Sequence, residues 1–293
     1  MQSSKSTANH DYSNVFLKAK SDIESLLSAR GIKTSEASIL VLGCGYNYPD
    51  VILWSAIAKQ VNGIDVLEAF WKDGFMARYK NFRKNGWGIT KSFAATLFNR
   101  LTYRRYFNEL SNLADLELDE HNQNLGTYDG CNLPFSDETF DVVCSNAVLE
   151  HVNPNDFAKL SSEISRVTRP SGISYHLWHN YYSLSGGHVS DEIAFAHPWG
   201  HLLGDPQVSN LLSSSGTYLN RMLPENIVKI LSHDFSCVAV HSIDKSHNKG
   251  DNAQFVYEGQ ALFTKEIETK LANYSRKTLL TRAFLFVGVK EGV

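Results

Sequence analysis

Apolar positions along the chain repeat with two periods. Val15, Phe16, Ala19, Ile23, Leu26 and Leu27 recur at helical spacing until Gly31, which predicts a helix beginning near residue 15. The polar stretch before it, residues 1–13, is expected to be a disordered tail. Ile39, Leu40, Val41 and Leu42 form a continuous apolar run, the pattern of a short strand buried on both faces of a parallel sheet. A helix over 50–58 and a second strand over 61–65 come next. Further strands are predicted at 125–128, 140–145, 173–178, 235–243 and 283–289, with helices over 157–168 and 223–231. Strands alternating with helices predict an α/β fold.

Two intervals interrupt the alternation. From 66 to 123, and again from 179 to 221, the chain is far longer than an α/β connection needs. Both are expected as insertions that cap one domain spanning 14–293. The first is rich in aromatic residues, among them Phe70, Trp71, Phe75, Phe82, Trp87, Phe93, Phe98, Tyr103, Tyr106 and Phe107. Between 72 and 105 it holds nine Lys and Arg, including Lys91, Arg104 and Arg105, against one acid, Asp73; from Glu109 to Glu120 the sign reverses. A hairpin whose basic and acidic arms pair is one reading. A cap that presents cations to an acidic substrate is the other. The second insertion gathers His179, His188, His197 and His201 with Asp191 and Glu192. A substrate pocket with a histidine base is preferred there over a divalent-metal site at the two acids, because no HxH or HExxH spacing accompanies them. No metal is expected.

Composition narrows the class. Of 293 residues, 43% are hydrophobic and 20% charged, with a net charge of −3, the profile of a globular protein. No apolar run reaches the roughly 18 residues of a membrane span, and MQSSKSTANHDYSN lacks the apolar core of a secretory signal, so the cytoplasm is the expected location. The slightly acidic balance and the lack of an RNA- or DNA-binding motif disfavour nucleic acid as a partner. Cys44, Cys131, Cys144 and Cys237 are scattered without ligand spacing and read as reduced residues. No pattern in the chain points to an oligomeric state.

The chemistry begins after the first strand. Gly43-Cys44-Gly45 lets the backbone turn with φ > 0 and lets a ligand approach bare peptide, and Asp65, ending the second strand, stands where a carboxylate meets ribose hydroxyls. A dinucleotide fingerprint would need a third glycine, and Tyr48 holds that position. A nicotinamide oxidoreductase is thereby disfavoured. The segment 128–151, YDGCNLPFSDETFDVVCSNAVLEH, and ISRVTRPSG at 164–172 complete the pattern. Together these blocks resemble the class I S-adenosylmethionine-dependent methyltransferases, in particular the broad family with an LPFxDxxFDxV block.

That resemblance implies a Rossmann-like, doubly wound sheet of seven strands with the last antiparallel, and S-adenosylmethionine as cofactor. It assigns cofactor binding to Gly43, Cys44, Gly45, Asp65, Val66, Asp129, Gly130, Cys131 and Asn146. Asp129 would reach the adenine amino group, although Asp-Gly is also a turn dipeptide. One departure stands out: Val41 occupies the position, two residues before Gly43, where the family carries an acid, so donor affinity is in question unless Asp50 compensates. His151, His179 and His188 are the candidate bases for a hydroxyl proton, with His151 first by its match to catalytic histidines in some relatives. A helix-start histidine bonded to backbone is the plainer reading of His151.

The expected reaction is attack by a substrate oxygen on the sulfonium methyl. The aromatic, basic cap suits a small polar or acidic molecule such as a sugar or glycan end. A hydrophobic natural product as substrate, or a non-catalytic S-adenosylmethionine-binding protein, are the alternatives.

Overall fold

The computed structural model describes residues 3–45, 48–66, 88–119, 124–214, 218–243, 246–247, 255–256 and 259–291, with single positions between 76 and 86. Phe70, Trp71, Phe75, Phe82, Trp87 and Asp73 lie outside the described residues.

Seven strands form one sheet: β1 (Ser38–Leu42), β2 (Gln60–Asp65), β3 (Asn124–Thr127), β4 (Phe140–Asn146), β5 (Thr168–His179), β6 (Ser236–Ile243) and β7 (Ala283–Val289). Their order is β3-β2-β1-β4-β5-β7-β6. The β1/β2, β2/β3 and β4/β5 pairs are parallel, and β7 runs antiparallel to both β5 and β6. This is the Rossmann-like arrangement that the sequence predicts. A separate two-stranded pair joins Ser246–His247 to Phe255–Val256. The chain divides into two compact units, Met1–Gly130 and Cys131–Val293.

In the first unit every residue of β1 is buried, as a continuous apolar run requires. Its register pairs Leu42 with Ile64, and β2 in turn sets Asp65 opposite Thr127 of β3. α2 (Pro49–Ser55) starts with proline in its first turn, where the missing N–H costs nothing. α1 (Ser3–Ser28) is longer than the sequence predicts and takes in most of the stretch expected as a disordered tail. Phe16, Ile23 and Leu27 are buried, and Phe16 meets Trp54 of α2 edge-on at 5.1 Å. The longest described element of the first insertion is α3 (Ile89–Ala114), packed on α1.

In the second unit α4 (Phe157–Val167) buries Phe157, Leu160, Ile164 and Val167, a 3–4 spacing that lays one apolar stripe inward. β5 begins at Thr168, not at Ile173 as the turn-rich Arg-Pro-Ser-Gly run suggests. Arg169 Nη1 reaches both carboxylate oxygens of Asp141 at 2.8 Å, and the Ser171 N–H donates to the Lys290 carbonyl at 2.9 Å, so that run is held within the strand although Ser171 turns with φ of 62° and the β4/β5 register shifts there. The second insertion carries α5 (Asp191–Ala196), α6 (Gly200–Leu203) and α7 (Pro206–Ser214). α8 (Pro224–Asp234) leads into β6. Three short helices fill the interval before β7: α9 (Gly259–Leu262), α10 (Lys265–Lys270) and α11 (Arg276–Leu280). Trp199 packs into these with Leu271 and Leu279, and its indole N–H donates to the Leu279 carbonyl at 3.0 Å.

Candidate active site

The glycine turn is the first element of the site. Gly43 and Gly45 adopt φ of 63° and 67°, a region that side chains avoid, and the space where Gly45 would carry a Cβ is open. The Gly45 N–H donates to Asp65 Oδ2 at 2.7 Å, and the Cys44 N–H to the Ile64 carbonyl at 3.0 Å. Asp65 therefore braces the turn across the β1/β2 pair. Val41, by contrast, is buried inside β1. Gly63 is required by packing: a Cβ there would lie 2.4 Å from Val51 Cγ2. Burial, with the nearby Asp65 and Asp50 charges, pushes the Cys44 thiol up to about 12, so it is an inert packing residue. Val66 is 70% exposed, an apolar side chain left open beside the acid that the resemblance assigns to ribose. An open glycine backbone, a braced carboxylate and an exposed apolar neighbour fit the adenosyl and methionine parts of S-adenosylmethionine.

Of the other residues expected at the cofactor, Asp129 is exposed and Gly130 ends the first unit. Cys131 and Asn146 belong to the second. The Cys131 thiol is committed to the Asp156 carbonyl at 3.6 Å. Asn146 ends β4, and Ala147 after it turns with φ of 56°. The LPFSD loop is pinned by α4. Arg166 donates to the carbonyls of Leu133 and Phe135 and to Asp137 Oδ1, while Glu163 accepts the Leu133 N–H at 2.7 Å.

The three candidate bases converge in the second unit. His151 closes a 3₁₀ turn, Leu149–His151, directly after β4; His179 ends β5; His188 follows in the second insertion. The rings of His151 and His188 stack at 5.0 Å, and His179 meets His188 edge-on at 5.6 Å. Glu150 lies at their centre and is only 2% exposed. Its Oε1 accepts the His179 backbone N–H at 3.2 Å and lies 3.2 Å from His179 Nδ1. Burial alone would raise its pKa, but the His179 imidazole, with a lesser pull from His151, holds the carboxyl below its ordinary range. Glu150 is an anion at neutral pH. Burial, reinforced by His179 and His151, pushes His188 down to about 4, so its ring is neutral although one edge remains exposed.

His151 Nδ1 lies 2.8 Å from the Tyr218 carbonyl, which can only accept, so Nδ1 carries the hydrogen. The backbone-bonded reading of this histidine is met on that one nitrogen, and Nε2 lies outside that bond. Asn220, 3% exposed, clamps the turn: its Nδ2 donates to the Leu149 and Val152 carbonyls and its N–H to the Glu150 carbonyl. Sequence reading passes over both Glu150 and Asn220, because neither is marked until the fold brings residues some 70 positions apart together. The rest of the histidine-rich insertion separates. His197 pairs with Asp205 at 2.8 Å, and His201 Nε2 bonds the Tyr181 carbonyl. Glu192 is exposed, and the Asp191 side chain lies outside the described residues.

A family model described as "Methyltransferase domain" matches residues 86–175, which include the segment 128–151 and the whole of ISRVTRPSG. Over those residues the chain is similar to the methyltransferase-domain family. The glycine turn and Asp65 precede the matched residues. No curated protein sequence matches the chain. Among solved structures it is similar to the MccD protein, at 17% identity over 92% of this chain and 96% of that one, with a TM-score of 0.47. It is similar also to the N-methyltransferase NodS from Bradyrhizobium japonicum WM9, at 11% identity over 95% and 98%, TM-score 0.43. A third is geranyl diphosphate C-methyltransferase from Streptomyces coelicolor A3(2), at 13% over 93% and 79%, TM-score 0.48. Among the described residues no helix is long and apolar enough to cross a membrane.

Proposed function

We propose that this chain is an S-adenosylmethionine-dependent methyltransferase that acts on the hydroxyl of a small polar or acidic molecule, a sugar or glycan end being the expected class. The observation that carries the reading is the convergence of His151, His179 and His188 on buried, ionised Glu150. A hydroxyl is a poor nucleophile until its proton has somewhere to go, and an imidazole beside a fixed carboxylate is a suitable acceptor. His151 led on resemblance, but the carboxylate lies against His179. His179 is therefore assigned as the base: the Glu150 carboxylate, 3.2 Å from Nδ1, stabilises by charge the imidazolium that forms when Nε2 takes the proton. Gly43, Gly45, Asp65 and Val66 would hold S-adenosylmethionine, which supplies an electrophilic methyl group. Asn220 keeps the Glu150 turn rigid, and neutral His188 offers the hydroxyl a hydrogen-bond partner.

A second reading has its own observation. Ile89, Phe93, Leu97 and Leu101 recur every fourth residue along α3, and all are exposed, as is Phe98. Arg105 is meanwhile paired with Glu109 at 3.1 Å, so part of the basic arm is self-neutralised. An apolar stripe of this kind favours a hydrophobic natural product as substrate. Labelled methyl transfer to a panel of hydroxylated sugar acids and of apolar hydroxyl compounds separates the two. Turnover confined to sugar acids supports the first; turnover confined to the apolar set replaces it with the second.

A further inference from the structure

An oxygen of Glu150 and one ring nitrogen each of His151 and His188 lie within 4.8 Å of one another. We propose that these three side chains bind one divalent transition cation of the zinc, manganese and iron(II) class. This goes beyond methyl transfer and does not depend on the substrate's identity.

The donor set favours such an ion. Two imidazoles and one carboxylate are borderline ligands suited to zinc or iron(II), whereas magnesium and calcium prefer oxygen throughout. A zinc–nitrogen bond is about 2.0–2.1 Å, so donors on a shared ion stand roughly 3.3 Å apart. The three groups need only a small inward movement to reach that spacing. His188 follows Gly186 and Gly187, both at positive φ, a turn that sets its ring against those of His151 and His179.

Two independent features point to a ligand. Glu150 is almost wholly buried, and its Oε2 has no hydrogen-bond partner among the described residues. A buried carboxylate oxygen left unmatched is costly unless a cation meets it. His151 also has the orientation typical of a metal ligand. Its Nδ1–H donates to the Tyr218 carbonyl, which fixes the tautomer and presents Nε2 as a lone pair. The Asn220 clamp holds Glu150 and His151, adjacent in sequence, in one rigid turn. His188, with its exposed edge, gives the ion a way in and leaves coordination positions open on that side. His179 is not one of the three clustered side chains; its Nδ1 lies 3.2 Å from Glu150 Oε1, and it stands as a neighbour of the ion rather than a ligand.

The test uses tag-free full-length protein stripped with a chelator and dialysed free of it. Cobalt(II) titration followed by visible absorption, and zinc(II) titration by calorimetry, should each show one equivalent per chain. Glu150→Gln and His188→Ala should each weaken binding at least tenfold, while His179→Ala keeps the one-to-one stoichiometry. His188 is exposed, so its replacement does not threaten folding; S-adenosylmethionine affinity, read on every variant, reports that the fold is intact. Absence of saturable binding overturns the proposal. So does binding unchanged in both Glu150→Gln and His188→Ala. Methyl transfer by the stripped protein bears only on the function proposed above, so the two ideas fail separately.

Discussion

Gly45 and Asp65 stand 20 residues apart in sequence and are joined by a 2.7 Å hydrogen bond from the glycine N–H to the aspartate carboxylate. The acid expected to hold the ribose also holds the glycine turn, in a chain whose first strand carries Val41 where the family places an acid. Asp65→Ala should therefore remove a charge-assisted contact and loosen the turn together. A loss of about 1.5–3 kcal/mol in S-adenosylmethionine binding is expected, as for hydrogen bonds to charged groups. Calorimetry checks it, and unchanged affinity would take Asp65 out of the site.

Gly63 makes a separate demand on β2. An added Cβ would lie 2.4 Å from Val51 and 2.8 Å from Leu125 side-chain atoms. Gly63→Ala should destabilise the protein by about 1–3 kcal/mol, the range for overpacking a core. Denaturant unfolding reads this directly; a wild-type midpoint would mean that α2 shifts freely.

The histidine cluster predicts a division of labour. His179→Ala should lower kcat by about 10²–10⁴ with S-adenosylmethionine affinity intact, as expected for loss of a general base. If His151→Ala has that effect instead and His179→Ala is mild, the base is His151. If neither variant slows the reaction, no general base from this pair is needed.

Acid stability follows from a histidine away from the reaction. His176 is fully buried on β5, bonded through Nδ1 to the Ser145 hydroxyl at 2.7 Å, and burial pushes it down to about 3. The unfolded chain takes up this proton near the ordinary value of 6.5 and the folded chain does not. Stability is thus complete above that value and falls as pH drops toward 3, by about 1.4 kcal/mol per pH unit for one histidine. Unfolding free energies measured between pH 7 and 5 should fall along that slope, and His176→Asn should flatten it by one proton's worth. An identical slope in the variant would contradict the assignment.

The sheet was legible because its strands are apolar runs of the right length, broken by glycine turns and spaced by amphipathic helices. β5 was read short because Arg-Pro-Ser-Gly is turn chemistry, and Ser171 does turn, with φ of 62°, while Asp141 and the Lys290 carbonyl hold the run in the strand. The helices between residues 259 and 280 went unread for another reason. Their segments are polar, and the apolar partner that organises them, Trp199, comes 72 residues before Leu271 in the chain. The site divides in the same way. The glycine turn and Asp65 are encoded locally, in one strand–turn–helix–strand unit. Glu150 and Asn220 carry no local signature, since one gains meaning from His179 and the other from a turn far upstream.

The central claim is that this fold binds S-adenosylmethionine and moves its methyl group. Calorimetric titration of the tag-free protein with S-adenosylhomocysteine, beside a matched titration with NAD, tests it most directly. One molecule of S-adenosylhomocysteine should bind per chain, with affinity weakened in Asp65→Ala and no heat from NAD. Saturable NAD binding with none for S-adenosylhomocysteine would contradict it.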